Sequence, residues 1–405
     1  MNEIHKIQSN RTQQTDEKKR LGAILVLAAL FMVAILGFTS FTVDVGYIAL
    51  TRTQMQAAAD AAALAGMMEL PEGWGMSATV SATEVDSLAR SAAVEVAGLH
   101  RNGDRASSYV DSTRDIRLGR RELNEITGEW DEFWSSPPYN MVEVTLRRNV
   151  SQDPDDGVPS PSGGGDAPLN LFFGPVIGNQ TAGISVSATA ALRAGVGFRI
   201  DSGSNETTGV LPITLDIDTW NDLLAGTGVD DYTYNSDTGA VTNGSDGVLE
   251  LDLYPTSDNS LPPGNRGTVD FGSSNNSTAD LSRQIVFGLN ANDLSYFGGT
   301  ISASDESPFI VNGDTGISAG IKDELSSIIG QPRVIPLFRE VSGPGNNAMY
   351  TIVKFVGIRI VSVRLTGKNK YVMIQPASYY DASIVTDPDV EITEDSLLGP
   401  GVLLR

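Results

Sequence analysis

The chain contains no cysteine among its 405 residues. Disulfide bonds, thiolate nucleophiles and cysteine-ligated zinc sites are therefore excluded. Histidine is almost absent as well, with copies at His5 and His100, so a histidine-built metal site or a Ser-His-Asp triad is poorly supplied. These gaps remove most of the common catalytic chemistries before any motif is considered.

Basic residues are also scarce, because 28 Lys and Arg stand against 50 Asp and Glu, for a net charge of -22. Residues 1–20 hold five basic and three acidic side chains, so all of the excess negative charge follows them. A body this acidic repels phosphate backbones and anionic surfaces. The composition argues against nucleic acid as a partner and is typical of a well-solvated ectodomain.

Charge is missing altogether from one long stretch, Leu21–Val43. As a helix its 23 residues would span about 35 Å, enough to cross a hydrocarbon layer of about 30 Å. A cleaved signal peptide has a shorter apolar core, and a helix buried in a soluble protein would show a polar face. The stretch therefore predicts an uncleaved transmembrane anchor.

The residues that flank this stretch predict its orientation. Three basic residues precede it directly, Lys18, Lys19 and Arg20. Asp44 follows it. By the positive-inside rule, residues 1–20 form a cytoplasmic tail and residues 44–405 are exported. The expected location is a bacterial inner membrane, crossed once, with the bulk of the chain in the periplasm.

Small residues dominate the next segment, Ile48–Leu70, which has high helix propensity and is predicted to end at Pro71. The transmembrane helix is expected to continue without a break into this segment, which forms a helical rod outside the membrane. Ala58, Ala62 and Gly66 lie four residues apart on one helix face. They are flanked by Ala57, Ala61 and Ala65. Small side chains let another backbone approach closely. Two alternatives stay open: this helix packs on the protein's own globular domain, or it packs on a partner helix in an assembly.

The stretch from residue 21 to residue 66, LGAILVLAALFMVAILGFTSFTVDVGYIALTRTQMQAAADAAALAG, resembles the N-terminal module of TadG-like Flp pilus-assembly proteins. The pattern of that family is a basic start, one membrane helix, a Val-Asp-Val-Gly exit and an Ala-Ala-Asp-Ala-Ala-Ala-Leu-Ala-Gly block. Residues 43–46 match the exit, and residues 58–66 match the alanine block.

The resemblance implies a membrane-anchored accessory or structural component of Flp pilus assembly or of a related envelope apparatus. Its partners would be other pilus-assembly or envelope proteins, contacted through the alanine-rich helix, and association with further copies of the chain stays open. Asp44 would mark the membrane interface or pair with a basic residue of a partner, and Asp60 must face water or meet a cation. The predicted membrane-exit and assembly motif comprises Asp44, Gly46, Ala58, Asp60, Ala62 and Gly66.

Beyond the anchor, the sequence predicts an α+β membrane-proximal domain over residues 44–195. A second helix, Ser77–Gly98, has an apparent apolar face at Val85, Leu88, Ala92, Val96 and Leu99. The hydrophobic period then changes from 3.6 to 2, which is typical of antiparallel strands. Residues 151–168 are rich in Pro, Gly and Ser and predict a loop insert.

Residues 196–380 predict a β-rich extracytoplasmic domain. Its clearest feature is a hairpin formed by Tyr350–Leu365 and Tyr371–Gln375, which flank the turn sequence TGKNK. Both strands are apolar on both faces, so a central position in a sheet is expected. Residues 381–405 are acidic and turn-rich, and little order is expected in this tail.

Two polar clusters raise the question of a metal site. Asp201 is followed by Ser202, Gly203 and Ser204, so the hydroxyls miss the Asp-x-Ser-x-Ser spacing of a von Willebrand A metal site. The loop of residues 230–246 places several Asp and Asn among glycines, but not in EF-hand order. Turns between strands explain this loop, and calcium binding there stays open.

We therefore expect no enzyme, no cofactor and no metal site. The main alternative function is a membrane-displayed β-rich module that binds surface polysaccharide or another envelope ligand. Aromatic side chains on one sheet face would favour this alternative, and the candidates are Trp220, Tyr232, Tyr234 and Tyr254. An enzyme would instead show a cleft lined by carboxylates with strongly shifted pKa values.

Overall fold

The computed structural model of the chain describes residues 2–75, 78, 80–124, 126–149, 165–253, 266–272, 277–317, 319–368 and 370–404. Side chains are described from Val26 onward, except those of Ile177 and Asn346. Some sequence predictions fall outside this range: residues 151–164 of the predicted insert, Ser77, Tyr254, and the side chains of Lys18, Lys19 and Arg20.

The described chain forms two compact units. Unit 1 comprises residues 1–59, 94–111 and 145–187, and unit 2 comprises residues 60–93, 112–144 and 188–405. The domain boundary predicted between residues 195 and 196 lies within a single strand, Ile184–Arg199. The strand therefore continues through that point without a linker.

The α-helices of the described residues are α1 (Asn2–Met68), α2 (Ala82–Gly98), α3 (Ile217–Leu224), α4 (Thr278–Phe287), α5 (Ala291–Ser295) and α6 (Lys322–Ser327). The first ten strands are β1 (Ile116–Leu123), β2 (Trp130–Trp134), β3 (Met141–Arg148), β4 (Leu169–Asn170), β5 (Thr181–Ala182), β6 (Ile184–Arg199), β7 (Thr207–Thr208), β8 (Ile213–Asp216), β9 (Tyr232–Asn235) and β10 (Ala240–Asn243). The remaining strands are β11 (Leu251–Asp252), β12 (Arg266–Val269), β13 (Leu289–Asn290), β14 (Thr300–Ser302), β15 (Phe309–Asp314), β16 (Pro332–Ser342), β17 (Ala348–Arg364), β18 (Tyr371–Pro376), β19 (Ile384–Thr386) and β20 (Leu397–Leu404).

Helix α1 is continuous over 67 residues and is about 100 Å long at 1.5 Å per residue. It joins the segments predicted as a tail, a transmembrane helix and a rod into one element. A short 3-10 helix, Leu70–Gly73, follows it and contains Pro71, whose missing N–H cannot continue an α-helix. The predicted end of the helix at Pro71 is thus confirmed.

Helix α2 begins at Ala82, five residues after the predicted start at Ser77, and ends at Gly98 as predicted. The Ser81 hydroxyl accepts a hydrogen bond from Glu84 N at 3.3 Å at its start. The buried face of α2 shares Val85 with the predicted one and differs at the other positions. The buried positions are Val85, Ala89, Ala93 and Ala97. Leu88 and Leu99 are exposed instead. The prediction of this face was wrong because it followed the largest apolar residues, whereas close packing on this helix selects the small ones.

The first large sheet has the strand order β14-β6-β3-β1-β2, and β19 and β20 also pair with β6. Strand β1 pairs antiparallel with both β2 and β3. Along β20, Leu397 faces Gly195 and Leu404 faces Thr189. Residues 384–386 and 397–404, which were expected to belong to a tail with little order, are therefore strands of this sheet.

The second large sheet has the order β11-β18-β17-β15-β12-β8-β16, and β16 also pairs with β17. These pairings close a ring of five strands, β17, β15, β12, β8 and β16. Strands β17 and β18 form the predicted hairpin, with Val363 opposite Val372. The predicted hairpin is confirmed. Taken together, a long N-terminal apolar helix is followed by mixed α/β and β-rich sheets.

Candidate functional site

A run of exposed large apolar side chains on α1 is followed by Asp44. From Val26 to Val43 the large apolar side chains are exposed, with Phe38 at 76%. Asp44 is the first buried residue in this direction, with 7% of its surface exposed. A buried carboxylate must find hydrogen-bond donors, because an unpaired one costs several kcal/mol. The contacts of Asp44 therefore define the place where the helix first meets the rest of the chain.

Backbone amides supply those donors. Phe172 N donates to Asp44 Oδ1 at 2.9 Å, and Phe173 N donates to Oδ1 at 3.2 Å and to Oδ2 at 3.1 Å. These two residues belong to the loop of residues 171–180 between β4 and β5, which pair antiparallel through Leu169 and Ala182. We call this segment the hairpin loop. Asp44 thus binds the hairpin loop within unit 1.

Three more residues continue the same face of α1 at helical spacing. The ring of Tyr47 lies 4.9 Å from that of Phe172. Thr51 is fully buried. Gln54 Oε1 accepts a hydrogen bond from Gly103 N at 2.9 Å. Sequence reasoning did not single out these three residues, although the successive steps of three, four and three residues from Asp44 to Gln54 were a visible signal of one helix face.

The fully buried guanidinium of Arg148 organises the loops that this face contacts. It donates to Ala167 O at 2.5 Å, to Asn102 O at 3.0 Å and to Asp104 Oδ1 at 2.7 Å. Burial raises the pKa of Tyr47, and the carboxylate of Asp104 raises it further. Buried Arg148, through its ion pair with the partly exposed Asp104 and through its backbone acceptors, therefore holds together the two loops of residues 102–104 and 167–168.

The small-residue face of α1 is covered within the chain. Ala58 and Ala62 have no exposed surface. A Cβ added to Gly66 would lie 3.0 Å from Ala89 O and 3.3 Å from Val142 Cγ1, both within unit 2. Of the two alternatives left open by the sequence, the structure shows packing on the protein's own fold.

The alanines that flank the small-residue face are less buried. Ala57 is exposed, and Ala61 and Ala65 are half-buried. Asp60 is half-buried as well. A Cβ on Gly46 would meet nothing within 4 Å, so this glycine is not required by a close neighbour within the described chain. The six residues of the predicted motif therefore divide into one loop-binding carboxylate, three buried small residues, one half-buried acid and one glycine in open space.

Most of the aromatic candidates for ligand binding make contacts within the fold. Trp220 has no exposed surface and lies in the core among the strands of the second sheet. The ring of Tyr234 covers the guanidinium of Arg359 at 3.4 Å. Tyr232 is half-buried. Among the described candidates, no row of exposed aromatic rings stands on one sheet face.

The acidic loop uses its carboxylates to hold its own turns. Asp230 accepts hydrogen bonds from the Ser245 hydroxyl and from Asp246 N and Gly247 N. These bonds lower the pKa of Asp230, led by the one from Ser245. In the part of the chain that the structure describes, no three His, Asp or Glu side chains are grouped so that they could hold one metal ion.

The buried carboxylate of Asp395 pairs with the half-buried Lys354 in unit 2. Asp395 accepts bonds from Lys354 Nζ at 2.7 Å and from Trp220 Nε1 at 2.9 Å. Burial alone would raise the pKa of Asp395, but Lys354 and the hydrogen bonds from Lys354, Thr393 and Trp220 outweigh it and lower the pKa. This network ties the C-terminal segment to the core and leaves Asp395 a structural role.

Comparison with known proteins identifies the N-terminal part of the chain. Residues 22–69 match the Tad family model, described as "Putative Flp pilus-assembly TadE/G-like". The match confirms the family resemblance of this segment. No curated protein and no solved structure matches the chain. Among the described residues, one helix is long and apolar enough to cross a membrane by length and composition, and its most apolar window is not buried.

Proposed function

We propose that this protein is a membrane-anchored, non-enzymatic accessory component of Flp pilus assembly. The observation that carries the proposal is the family match over residues 22–69. This segment coincides with the exposed apolar part of α1, the loop-binding Asp44 and the alanine-rich turns. The matched segment thus contains both a candidate anchor and the residues that attach it to the folded body.

The anchor in this proposal is Leu21–Val43, with residues 1–20 in the cytoplasm and residues 44–405 in the periplasm. Three observations support it. The large apolar side chains from Val26 to Val43 are exposed and need a nonaqueous environment. Lys18, Lys19 and Arg20 precede the stretch. The first buried residue of α1 after the exposed run is Asp44, which directly follows the proposed anchor.

The non-enzymatic part of the proposal rests on how the buried polar groups are used. Asp44, Arg148 and Asp395 each bond to backbone groups or to a partner side chain that holds two segments together. A catalytic carboxylate would face a cleft and carry a pKa suited to proton transfer. The described polar networks fit a scaffold better than an active centre.

The partner surface in this proposal is the part of the alanine-rich helix that stays exposed. Ala58, Ala62 and Gly66 are buried within the chain, so a partner would have to contact other positions. Thr53, Ala57 and Met68 are exposed on α1. We assign contact with pilus-assembly proteins to this side of the helix.

Site-specific photocrosslinking in the native membrane tests this assignment. A photoreactive amino acid is placed at Thr53, Ala57 or Met68, and at Leu99 as an exposed control that is 78% accessible. The proposal predicts adducts with a pilus-assembly protein, identified by mass spectrometry, from the three α1 positions and not from Leu99. Crosslinks within the same chain from all four positions, or no crosslinks at all, would contradict the proposal. Crosslinks between two copies of the chain would show that the surface mediates homo-oligomerisation and not contact with another protein.

A further inference from the structure

The hairpin loop exposes a large amount of apolar side chain. Phe172 is 65% exposed, Phe173 41% and Val176 84%. The loop sequence, LFFGPVIGNQ, contains no charged residue. A chain whose net charge is -22 thus presents an uncharged, apolar loop from unit 1. Exposed apolar groups clustered in this way mark a surface that contacts something other than water.

Internal hydrogen bonds make this loop an ordered structure. Leu171 N donates to Gln180 O at 3.0 Å, and Asn179 N donates to Gly174 O at 2.9 Å. Gly178 ends the short 3-10 turn with φ at +91°, a left-handed conformation that glycine adopts without strain. The exposed parts of the phenylalanines and of Val176 are therefore displayed by an ordered backbone.

The position of the loop on α1 is fixed by Asp44. Its carboxylate binds the amides of Phe172 and Phe173, and the rings of Phe172 and Tyr47 contact one another. Val43 and Val45, on either side of Asp44, are 42% and 46% exposed. The apolar loop therefore lies beside exposed apolar side chains of α1, at the C-terminal end of the charge-free stretch Leu21–Val43.

We propose that the hairpin loop inserts into the periplasmic surface of the lipid bilayer beside the anchor. This inference rests on the proposed transmembrane role of Leu21–Val43. Interfacial segments that do not cross the bilayer bury side chains such as Phe and Leu at the boundary between headgroups and hydrocarbon. The loop binds lipid through apolar contacts, because it has no charged side chain that could bind a headgroup.

Asp44 is the positioning residue of this contact. Near the hydrocarbon boundary an exposed carboxylate would be costly, and two backbone N–H groups satisfy it instead. The same bonds hold the loop against the helix at the depth of the interface. The anchor and the loop then give the periplasmic body two points of attachment to the membrane, which a helix alone would not provide.

Depth-dependent fluorescence quenching tests the inference on the full chain, which has no native cysteine to interfere with labelling. Val176→Cys, Leu36→Cys and Leu99→Cys are labelled with an environment-sensitive fluorophore and reconstituted into phosphatidylcholine vesicles. Separate vesicles carry nitroxide lipids with the spin label near the headgroup or deep in the acyl chain. Val176 and Leu99 are matched in exposure, at 84% and 78%, and Leu36 lies in the proposed anchor.

The expected result is severalfold quenching of the Val176 probe by the shallow nitroxide, quenching of the Leu36 probe by the deep one, and none at Leu99. A Val176 probe as unquenched as Leu99, with Leu36 quenched, would overturn the loop inference and leave the anchor intact. An unquenched Leu36 probe would overturn the anchor itself. A Val176 signal that disappears on dilution of protein in lipid would assign the loop to a second copy of the chain and overturn lipid contact.

The role of Asp44 is tested in the same vesicles. Asp44→Ala removes the acceptor for both loop amides, so the Val176 probe is expected to lose most of its shallow quenching while the Leu36 probe keeps its own. Asp44→Asn retains one acceptor oxygen and is expected to give an intermediate loss. Full quenching of the Val176 probe in both variants would overturn the positioning role of Asp44.

Discussion

The indole Nε1 of Trp220 donates a hydrogen bond of 2.9 Å to Oδ2 of Asp395, a residue 175 positions further along the chain. The same carboxylate accepts two bonds from Lys354 Nζ. The acidic C-terminal segment is thereby joined to the fully buried tryptophan in the core of the second sheet. The C-terminal segment therefore contributes to the fold of unit 2.

Asp395→Asn is expected to destabilise unit 2. The amide can still accept from Trp220, but Lys354 loses its counter-charge, and because its side chain is about one third exposed we expect a cost of about 2 kcal/mol. Denaturant unfolding of the full chain in detergent, followed by tryptophan fluorescence, measures it. Asp389→Asn, at an exposed acid of the same segment, is the control and should leave the midpoint unchanged.

The same residue predicts a dependence of stability on pH. The pKa of Asp395 is lower in the folded protein than its ordinary value of 3.8, so its contribution is complete above that value. As the pH falls below 3.8 and passes the folded pKa, the contribution is lost. The difference in stability between wild type and Asp395→Asn should shrink in this acidic window. If the difference in the free energy of unfolding between the two proteins stayed constant well below pH 3.8, the lowered pKa of Asp395 would be contradicted.

Two glycines on α1 should respond in opposite ways to alanine. At Gly66 the new Cβ would press on the backbone carbonyl of Ala89, and overpacking of this kind costs about 1–3 kcal/mol. At Gly46 it meets nothing within 4 Å, so the higher helix propensity of alanine should be neutral or stabilising by up to about 1 kcal/mol. Thermal unfolding of Gly66→Ala and Gly46→Ala measures the contrast, and equal effects would argue against the packing described for Gly66.

Arg148→Met should loosen unit 1 around its loops. The substitution leaves Asp104 and three backbone carbonyl groups without the donor that the buried Arg148 supplies, and we expect a cost of about 3 kcal/mol. Hydrogen exchange of the amides in residues 101–104 and 167–173 should accelerate by the factor that corresponds to this loss of free energy. Arg199→Met breaks an exposed pair with Asp201 and should cost less than about 1 kcal/mol, so similar effects of the two substitutions would refute a structural role for Arg148.

The sequence predicted the first helix well because its signals are local. A charge-free run, a row of alanines and a terminating Pro71 specify one long helix without reference to the rest of the chain. The hairpin Tyr350–Leu365 and Tyr371–Gln375 was also local, since a short turn joins strands whose residues are apolar on both faces.

The remaining structure depended on contacts between distant residues. Asp44 was recognised as the exit from the apolar stretch, but its partner amide on Phe172 lies 128 residues away and is a backbone group that carries no sequence signature. The strand of residues 397–404 contains glycine and proline and gains its order from pairing with β6. Periodicity selected the large residues of α2, although the close approach of Gly66 favours the alanines.

The loss of Flp pili on deletion of this chain is the most direct test of its proposed role. In a strain that lacks it, surface pilin is quantified by shearing and immunoblotting, and the strain is complemented with wild type or with a variant whose residues 1–43 are replaced by a cleavable signal peptide. The account predicts that surface pili disappear, that wild type restores them, and that the released periplasmic form does not. Unchanged pili in the deletion strain, or full restoration by the released form, would contradict an anchored accessory of pilus assembly.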